Sequence, residues 1–411
     1  MKFPIITHID QIFDAVRDRD EFVVAEREGF TVIDYQVMMP DTFPSDGDEL
    51  SALRRECRGI KFHKDGSIAA RPYHKFFNLG EREEALEENI DWSEKFTILD
   101  KLDGSMIHPI ILKGDYDQDP IVFCTRMGNT DIAQDAQKFC FSKLRDDMDY
   151  FGFCRHMIEK GFTPIFEWCS MSNIIVIAHR ESKLVLTAIR HMETGEYITP
   201  KKMWTLSAPF GVPVVDSWKG DFEGISKFVS YIKDLVGEEG HVFRFDDGRM
   251  YKSKSDWYVR IHKAKDQIHF EKNVIKLILH NDLDDILPDL LEYDRQALIK
   301  YREALWHGIR VNATKIDKIV EKAWEFLVQA ESDKSARNKR FALEFAAYHK
   351  VPVKSLLFNV WNNKDLNGFN AILEHLMNPH MERLGSQTSV EKMRPLLGDA
   401  RWADYYAEVQ E

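Results

Sequence analysis

Cysteine is scarce and irregularly placed. There are five, at positions 57, 124, 140, 154 and 169, an odd count with no Cys-x-x-Cys pair. Neither a zinc ribbon nor a disulfide framework is expected, and the chain reads as a reduced, cytoplasmic protein. No apolar run reaches the roughly 20 residues needed to span a bilayer, so no membrane association is expected. The opening MKFPIITHIDQIFDAVRDRDEF carries acids soon after a brief apolar run and lacks a signal peptide's apolar region and cleavage site. The histidines show no His-x-x-x-His spacing with an added acid, which opposes a zinc hydrolase. Positive charge is in deficit: the formal net charge is −12. That opposes indiscriminate coating of nucleic acid, which rests on phosphate neutralisation, but leaves room for one cleft that gathers cations. It reads equally as plain solubility.

What is present is a chain of 411 residues, 44% of them hydrophobic, enough for two or three domains with real cores. The first part reads as α+β. Short β-rich runs recur, among them FTVIDYQVMM, FTILDKLDGSMIHPIIL, PIVFCTRMG, TPIFEWCS, NIIVIAH and HVFRFDDGRMYKSK, several punctuated by Asp-Gly turns. Helical patterns cover the stretch from Asp131 to Gly161 and from Asp221 to Gly240. Strand-rich order with hairpins implies antiparallel sheets rather than a doubly wound parallel sheet. From about residue 263 the periodicity turns helical throughout. Ile316, Ile319, Val320, Ala323, Phe326 and Leu327 fall on one face, and Pro288, Gly308 and Gly368 are expected to break the pattern. The expected organisation is a domain over 1–262 and an all-helical domain over 263–411.

The chemistry centres on Lys101-Leu102-Asp103-Gly104-Ser105, between two apolar runs. Alone, this reads at least as well as an Asp-Gly hairpin bearing a solvated lysine. Its company is more telling. Upstream lie Glu56-Cys57-Arg58-Gly59-Ile60 and Arg71 through Asn78, which includes Lys75. Downstream come Phe166-Glu167-Trp168, then Glu239-Gly240-His241-Val242, then Lys252-Ser253-Lys254-Ser255-Asp256-Trp257-Tyr258. In this order the segments resemble the covalent nucleotidyltransferase superfamily of ligases and capping enzymes, and in detail the RNA ligase 1 family of T-even phages, which repairs tRNA. The resemblance covers most of residues 50–262 and continues more weakly beyond; the first 50 residues align with little in it.

The resemblance implies an ATP-dependent RNA ligase with Mg²⁺, for which Mn²⁺ can substitute. Its substrate would be RNA with 5′-phosphate and 3′-hydroxyl ends, such as cleaved tRNA. It would be a monomer, in a host's cytoplasm if a phage encodes it. Lys101 would be the nucleophile. Arg58, Lys75, Lys252 and Lys254 would contact phosphate, and Asp103 and Gly104 would lie at the cofactor. Glu167 would take a ribose hydroxyl or the metal, Val242 the adenine face, and Glu239 the metal. Arg126 would stand where the family often has a second lysine. Asp284 and Asp285 resemble an acidic pair that relatives bring near the active site, although a solvated helix start suits them as well. Lys334, Arg337, Lys339 and Arg340 could grip a tRNA backbone or simply face solvent. A DNA ligase or capping enzyme would need an OB-fold after Lys254, which the helical periodicity opposes. A silent RNA-end binder would not need the intact nucleophile.

The residues support this chemistry in their own right. An amine attacks phosphorus only when neutral, yet a free lysine is almost wholly protonated at pH 7. Lys252 and Lys254 alternate along one strand face. Beside Lys101 they are expected to destabilise its ammonium and to neutralise a triphosphate.

Overall fold

The computed structural model describes every residue except 1, 40, 45–47, 114–119, 172–173, 220–223, 364, 379–382 and 408–411. Its contacts divide the chain into two units, Met1–Val259 and Arg260–Glu411. The boundary falls inside the helix Asp256–Ile268.

The described residues of the first unit hold thirteen strands. They are β1 (Phe22–Arg27), β2 (Phe30–Tyr35), β3 (Arg58–His63), β4 (Ile68–Ala70), β5 (Phe77–Asn78), β6 (Phe96–Asp100), β7 (Ser105–Ile111), β8 (Ile121–Cys124), β9 (Phe162–Cys169), β10 (Lys183–His191), β11 (Ser217–Lys219), β12 (Gly240–Phe245) and β13 (Met250–Lys254). They form three sheets, in the orders β1-β2-β3-β4, β10-β9-β7-β8 and β11-β6-β12-β13-β5. Among the described strands every pairing is antiparallel except the short β13–β5 contact. The Asp-Gly turns at 65–66 and 247–248 close the hairpins β3–β4 and β12–β13, whereas the expected hairpin at Asp103-Gly104 does not form, because β6 and β7 belong to different sheets. The β12–β13 hairpin turns at Gly248, which takes φ +91°, a conformation glycine adopts without steric cost.

Two expected elements differ. The helical stretch from Asp131 splits into Asp131–Lys143 and Tyr150–Glu159. The break comes at Asp147, in the left-handed region at φ 59°, and Asp149 caps the second helix by accepting a hydrogen bond from the Gly152 amide at 2.7 Å. The described part of NIIVIAH, residues 174–179, is an irregular loop and not a strand. Its Val176 and Ile177 amides have a side-chain partner elsewhere in place of a ladder.

The described part of the second unit is helical. Its spine is Glu292–Ala330, a helix of 39 residues. Gly308 does not break it. A Cβ on Gly308 would lie 2.3 Å from Leu397 O, and one on Gly368 would lie 2.5 Å from Ala313 O. Gly308 therefore permits close packing within an unbroken helix, whereas Gly368 does stand at a break, opening the helix Gly368–Leu376 after the one that ends at Asn362. Ile316, Val320, Ala323 and Leu327 are buried in one core, whereas Phe326 is 53% exposed and lies under the Arg340 guanidinium.

All five cysteines are free and buried. Among the described residues no helix is long and apolar enough to cross a membrane.

Candidate active site

The five-stranded sheet turns alternate residues to opposite faces. Ile98, Phe243 and Tyr251 go into an apolar core. On the other face, the registers Leu99↔Val242↔Lys252 align three side chains in one row. The next row holds Gly240 opposite Lys254. Lys101, two residues beyond Leu99, joins it through a hydrogen bond from its amide to Gly240 O at 2.9 Å. Gly240 has φ +135°, and a Cβ there would meet Ser253 O at 2.1 Å. The middle of this row therefore carries no side chain. Glu239, only 3% exposed, spans the row: its Oε1 lies 2.8 Å from Lys101 Nζ and 3.0 Å from Lys254 Nζ.

This pairing reverses one expectation. Burial acts to lower the pKa of Lys101, but Glu239, Glu167 and Asp103 outweigh it and raise the ammonium above the ordinary lysine value. The cationic repulsion falls instead on Lys252. Burial, then Arg58, Lys101, Lys75 and Lys254, push its pKa down to about 7. The sequence shows the cations near one another but not the buried acid that takes up two of them.

Glu167 faces the crevice from the neighbouring sheet, on β9 opposite Met106 of β7 and Val185 of β10. Burial pushes its carboxyl up to about 7, with Glu239 and Asp103 adding to the effect and Lys101 and Arg58 opposing it. Arg58, at the start of β3, touches the Met106 sulfur at 3.7 Å. Lys75 lies among the Tyr35, Phe43 and Phe77 rings, 5.1–5.7 Å from their centroids, and donates to the Tyr35 hydroxyl at 3.3 Å. Burial would raise the pKa of that phenol, but Arg58, Arg126 and Lys75 together lower it. No described carboxylate pairs with Arg58, Lys75 or Lys252, so three cations converge on the crevice without anions.

Asp103 is otherwise occupied. Its carboxylate accepts from the Val176 and Ile177 amides at 2.8 and 2.6 Å and from the Tyr258 hydroxyl at 2.7 Å. It anchors the loop and the turn after Lys101. Gly104 is required by proximity: a Cβ would meet Trp168 O at 2.5 Å. Arg126 is likewise committed, bonding Asp34 Oδ1 at 2.6 Å and stacking over Tyr35 at 4.5 Å, so its link to the site is indirect. Val242 is half-buried on the lysine face, in the row of Leu99 and Lys252.

In the second unit, Asp284 and Asp285 are exposed on the short helix Leu283–Ile286. Among the described residues no three His, Cys, Asp or Glu side chains are grouped to cage a metal. Of the basic cluster on Lys334–Phe341, Arg340 pairs with Glu344 at 2.7 Å and Arg337 bonds the Glu331 and Ser332 carbonyls. Lys334 and Lys339 are exposed.

Tyr35 and Phe76 escaped the sequence reading. Tyr35 meets Lys75 and Arg126, and Lys252 lies 5.5 Å from the Phe76 ring centroid. Tyr35 ends the strand Phe30–Tyr35, and nothing in that run marks it as part of a site.

An RNA ligase family model of the T4 RNA ligase 1 type matches residues 56–266. A protein of Thermovibrio ammonificans provisionally named an RNA ligase is 29% identical over 350 residues, covering 82% of this chain and 87% of its own. RNA ligase 1 of bacteriophage TS2126 is 26% identical over 272 residues, covering 64% of each chain. Among solved structures, an archaeal ATP-dependent RNA ligase aligns at 14% identity and a TM-score of 0.43, covering 62% of this chain and 64% of that one. The family match spans just over half the chain, from the glutamate before Arg58 past the Lys254 strand, and the chain belongs to the RNA ligase family.

Proposed function

We propose that the protein joins RNA ends using ATP, through a covalent AMP carried on Lys101. The observation that carries this reading is the placement of Lys101 Nζ, 2.8 Å from Glu239, in a crevice where Arg58, Lys75 and Lys252 have no carboxylate partner among the described residues. Such a wall suits a polyphosphate, and it costs nothing to reorganise when charge develops.

In the first step the Lys101 amine bonds to the α-phosphorus of ATP, and the bond to the β-phosphate oxygen breaks, releasing pyrophosphate. Lys101 must first give up a proton, and Glu239 is the acceptor already in contact. Glu167, whose pKa of about 7 suits exchange near neutrality, faces the same crevice and offers a second acceptor. Lys252, Lys75 and Arg58 hold the phosphates, Arg58 with the two-pronged geometry of a guanidinium. Val242 offers an apolar surface for the base. Glu239 and Glu167 also form the carboxylate pair that suits Mg²⁺ or Mn²⁺, ions bound mostly by phosphates and water; such an ion would add charge neutralisation.

An RNA 5′-phosphate oxygen next attacks the Lys101-bound phosphorus, taking AMP and freeing the amine. The 3′-hydroxyl of the other end then attacks the activated 5′-phosphate, sealing the phosphodiester and releasing AMP. We take the physiological substrate to be a broken tRNA and the protein to act as a monomer in the cytoplasm.

The test is incubation with α-labelled ATP and Mg²⁺, then with nicked tRNA or nicked duplex DNA. Label should stay on the parent protein through denaturation, be absent from Lys101→Ala, and pass to RNA. Labelling from GTP in place of ATP, or transfer only to DNA, would overturn the reading.

A further inference from the structure

We infer that a groove on the catalytic face, walled by the helix Pro200–Ser207 and the edge strand β11, is a track for single-stranded RNA leading to the ends being joined; this rests on the proposed ligase reading. The groove encloses about 770 Å³, within the range of sites that hold small organic ligands. Along the helix, Pro200, Lys201, Trp204 and Ala208 line it, a stripe set by helical spacing. Met203 turns to the buried side and Ser207 sits at the buried floor of the groove, which leaves Trp204 outward. Its indole is 67% exposed, an unusual cost for the largest side chain unless something covers it. Across the groove stand Lys219 and Thr97.

The occupant follows from the chemistry. A flat aromatic surface flanked by cations is how sequence-tolerant proteins hold single-stranded nucleic acid, with bases stacked and phosphates neutralised. Lys201 and Lys219 are exposed, and no described carboxylate pairs with either, so their charge is available. Asp216 also borders the groove, and it leaves the lining with a net positive balance.

The position follows from the register. Ser217 pairs with Leu99 and Lys219 with Thr97, so Thr97 and Leu99 face the same side as Lys101. Four residues of strand separate Thr97 from Lys101, about 13 Å. Between them Leu99, Val185 and Val215 form a small dry cluster, which keeps the groove apart from the nucleotide crevice. A strand lying in the groove is thus a few nucleotides from the nucleophile without competing for the ATP site.

The experiment separates steps on the full-length protein. Trp204→Ala and the double variant Lys201→Glu with Lys219→Glu are compared with the parent for label on Lys101, for the KM of a single-stranded 5′-phosphate RNA, and for photocrosslinking to a 4-thiouridine strand. The expected result is unchanged label, an RNA KM raised on the order of tenfold for Trp204→Ala, near-parent KM for Trp204→Phe, and a shallower salt dependence for the charge reversals. An RNA KM unaltered in all variants overturns the track and leaves the groove to a protein partner. Loss of label in parallel with ligation also overturns it, because the effect would then be structural. If the parent labels Lys101 but never transfers AMP to RNA, the ligase reading itself fails, a result distinct from both.

Discussion

Two buried charge networks in the first unit show opposite designs. Around Glu56 the charges are closed. Its carboxylate takes Arg71 Nε at 2.9 Å and Arg190 Nη1 at 2.7 Å and Nη2 at 2.8 Å. Five further guanidinium hydrogen bonds go to the carbonyls of Pro4, Pro72, Met192, Glu193 and Gly195. All three residues are essentially out of water, and the two cations hold the Glu56 carboxyl far below the usual carboxylate range despite its burial. Around Lys101 the charges are left open. One glutamate serves two lysines, and no described carboxylate pairs with Arg58, Lys75 or Lys252. Glu56 and Arg58 are two residues apart in one motif, yet one completes a structural network and the other borders an incomplete one. The extent of pairing, rather than charge or burial alone, separates the network that holds the fold from the one proposed to take a ligand.

The comparison can be broken in order of effect. Lys101→Ala should reduce protein-bound label from α-labelled ATP to background with the fold intact by circular dichroism; residual label would remove the nucleophile from the open network. Glu56→Ala should strand two guanidiniums in the interior and cost on the order of 3–5 kcal/mol of unfolding free energy in urea. A loss below about 1 kcal/mol would show that the closed network holds little. Lys252→Met should do the reverse, with stability equal to the parent or above it, because repulsion is removed. Its lysine adenylylation should slow by roughly 100-fold, the worth of one preorganised charge. A stability loss comparable to that of Glu56→Ala would erase the distinction.

The smallest effect concerns pH. The folded pKa of Lys252 is about 7, against an ordinary 10.5. Below pH 7 both states carry the proton and the folded state bears the full cost. Between 7 and 10.5 the unfolded chain holds a proton that the folded chain has shed, so stability contributed at this site rises with pH. Parent stability relative to Lys252→Met should therefore improve by at least about 1 kcal/mol between pH 7 and 9.5, the worth of roughly one unit of displaced pKa. Urea titrations at the two pH values measure it, and a gap that does not change would place Lys252 in effective contact with solvent.

Much of this was legible from local pattern. The alternation of Lys252 and Lys254 put both on one face, and the register confirms it. Two Asp-Gly turns announced antiparallel hairpins, but the one at Asp103-Gly104 carries the chain from one sheet to another; helical spacing announced the second unit. Gly308 misled because a glycine inside a helix reads as a break, and only the backbone of residue 397 against it shows the purpose. NIIVIAH misled because a β-branched apolar run reads as a strand, yet its amides are claimed by Asp103.

By itself the sequence determined the periodicities, hence strands first and helices after, and the linear order of Arg58, Lys75, Lys101, Glu167, Glu239, Lys252 and Lys254. Only the tertiary structure decided which charges cancel. Pairing depends on angstrom distances between residues far apart in the chain: Glu239 reaches Lys101 because β12 lies beside β6, and Glu56 meets Arg190 across 134 positions. No local pattern encodes which of two neighbouring motif charges will be satisfied in the interior and which will be left facing the crevice.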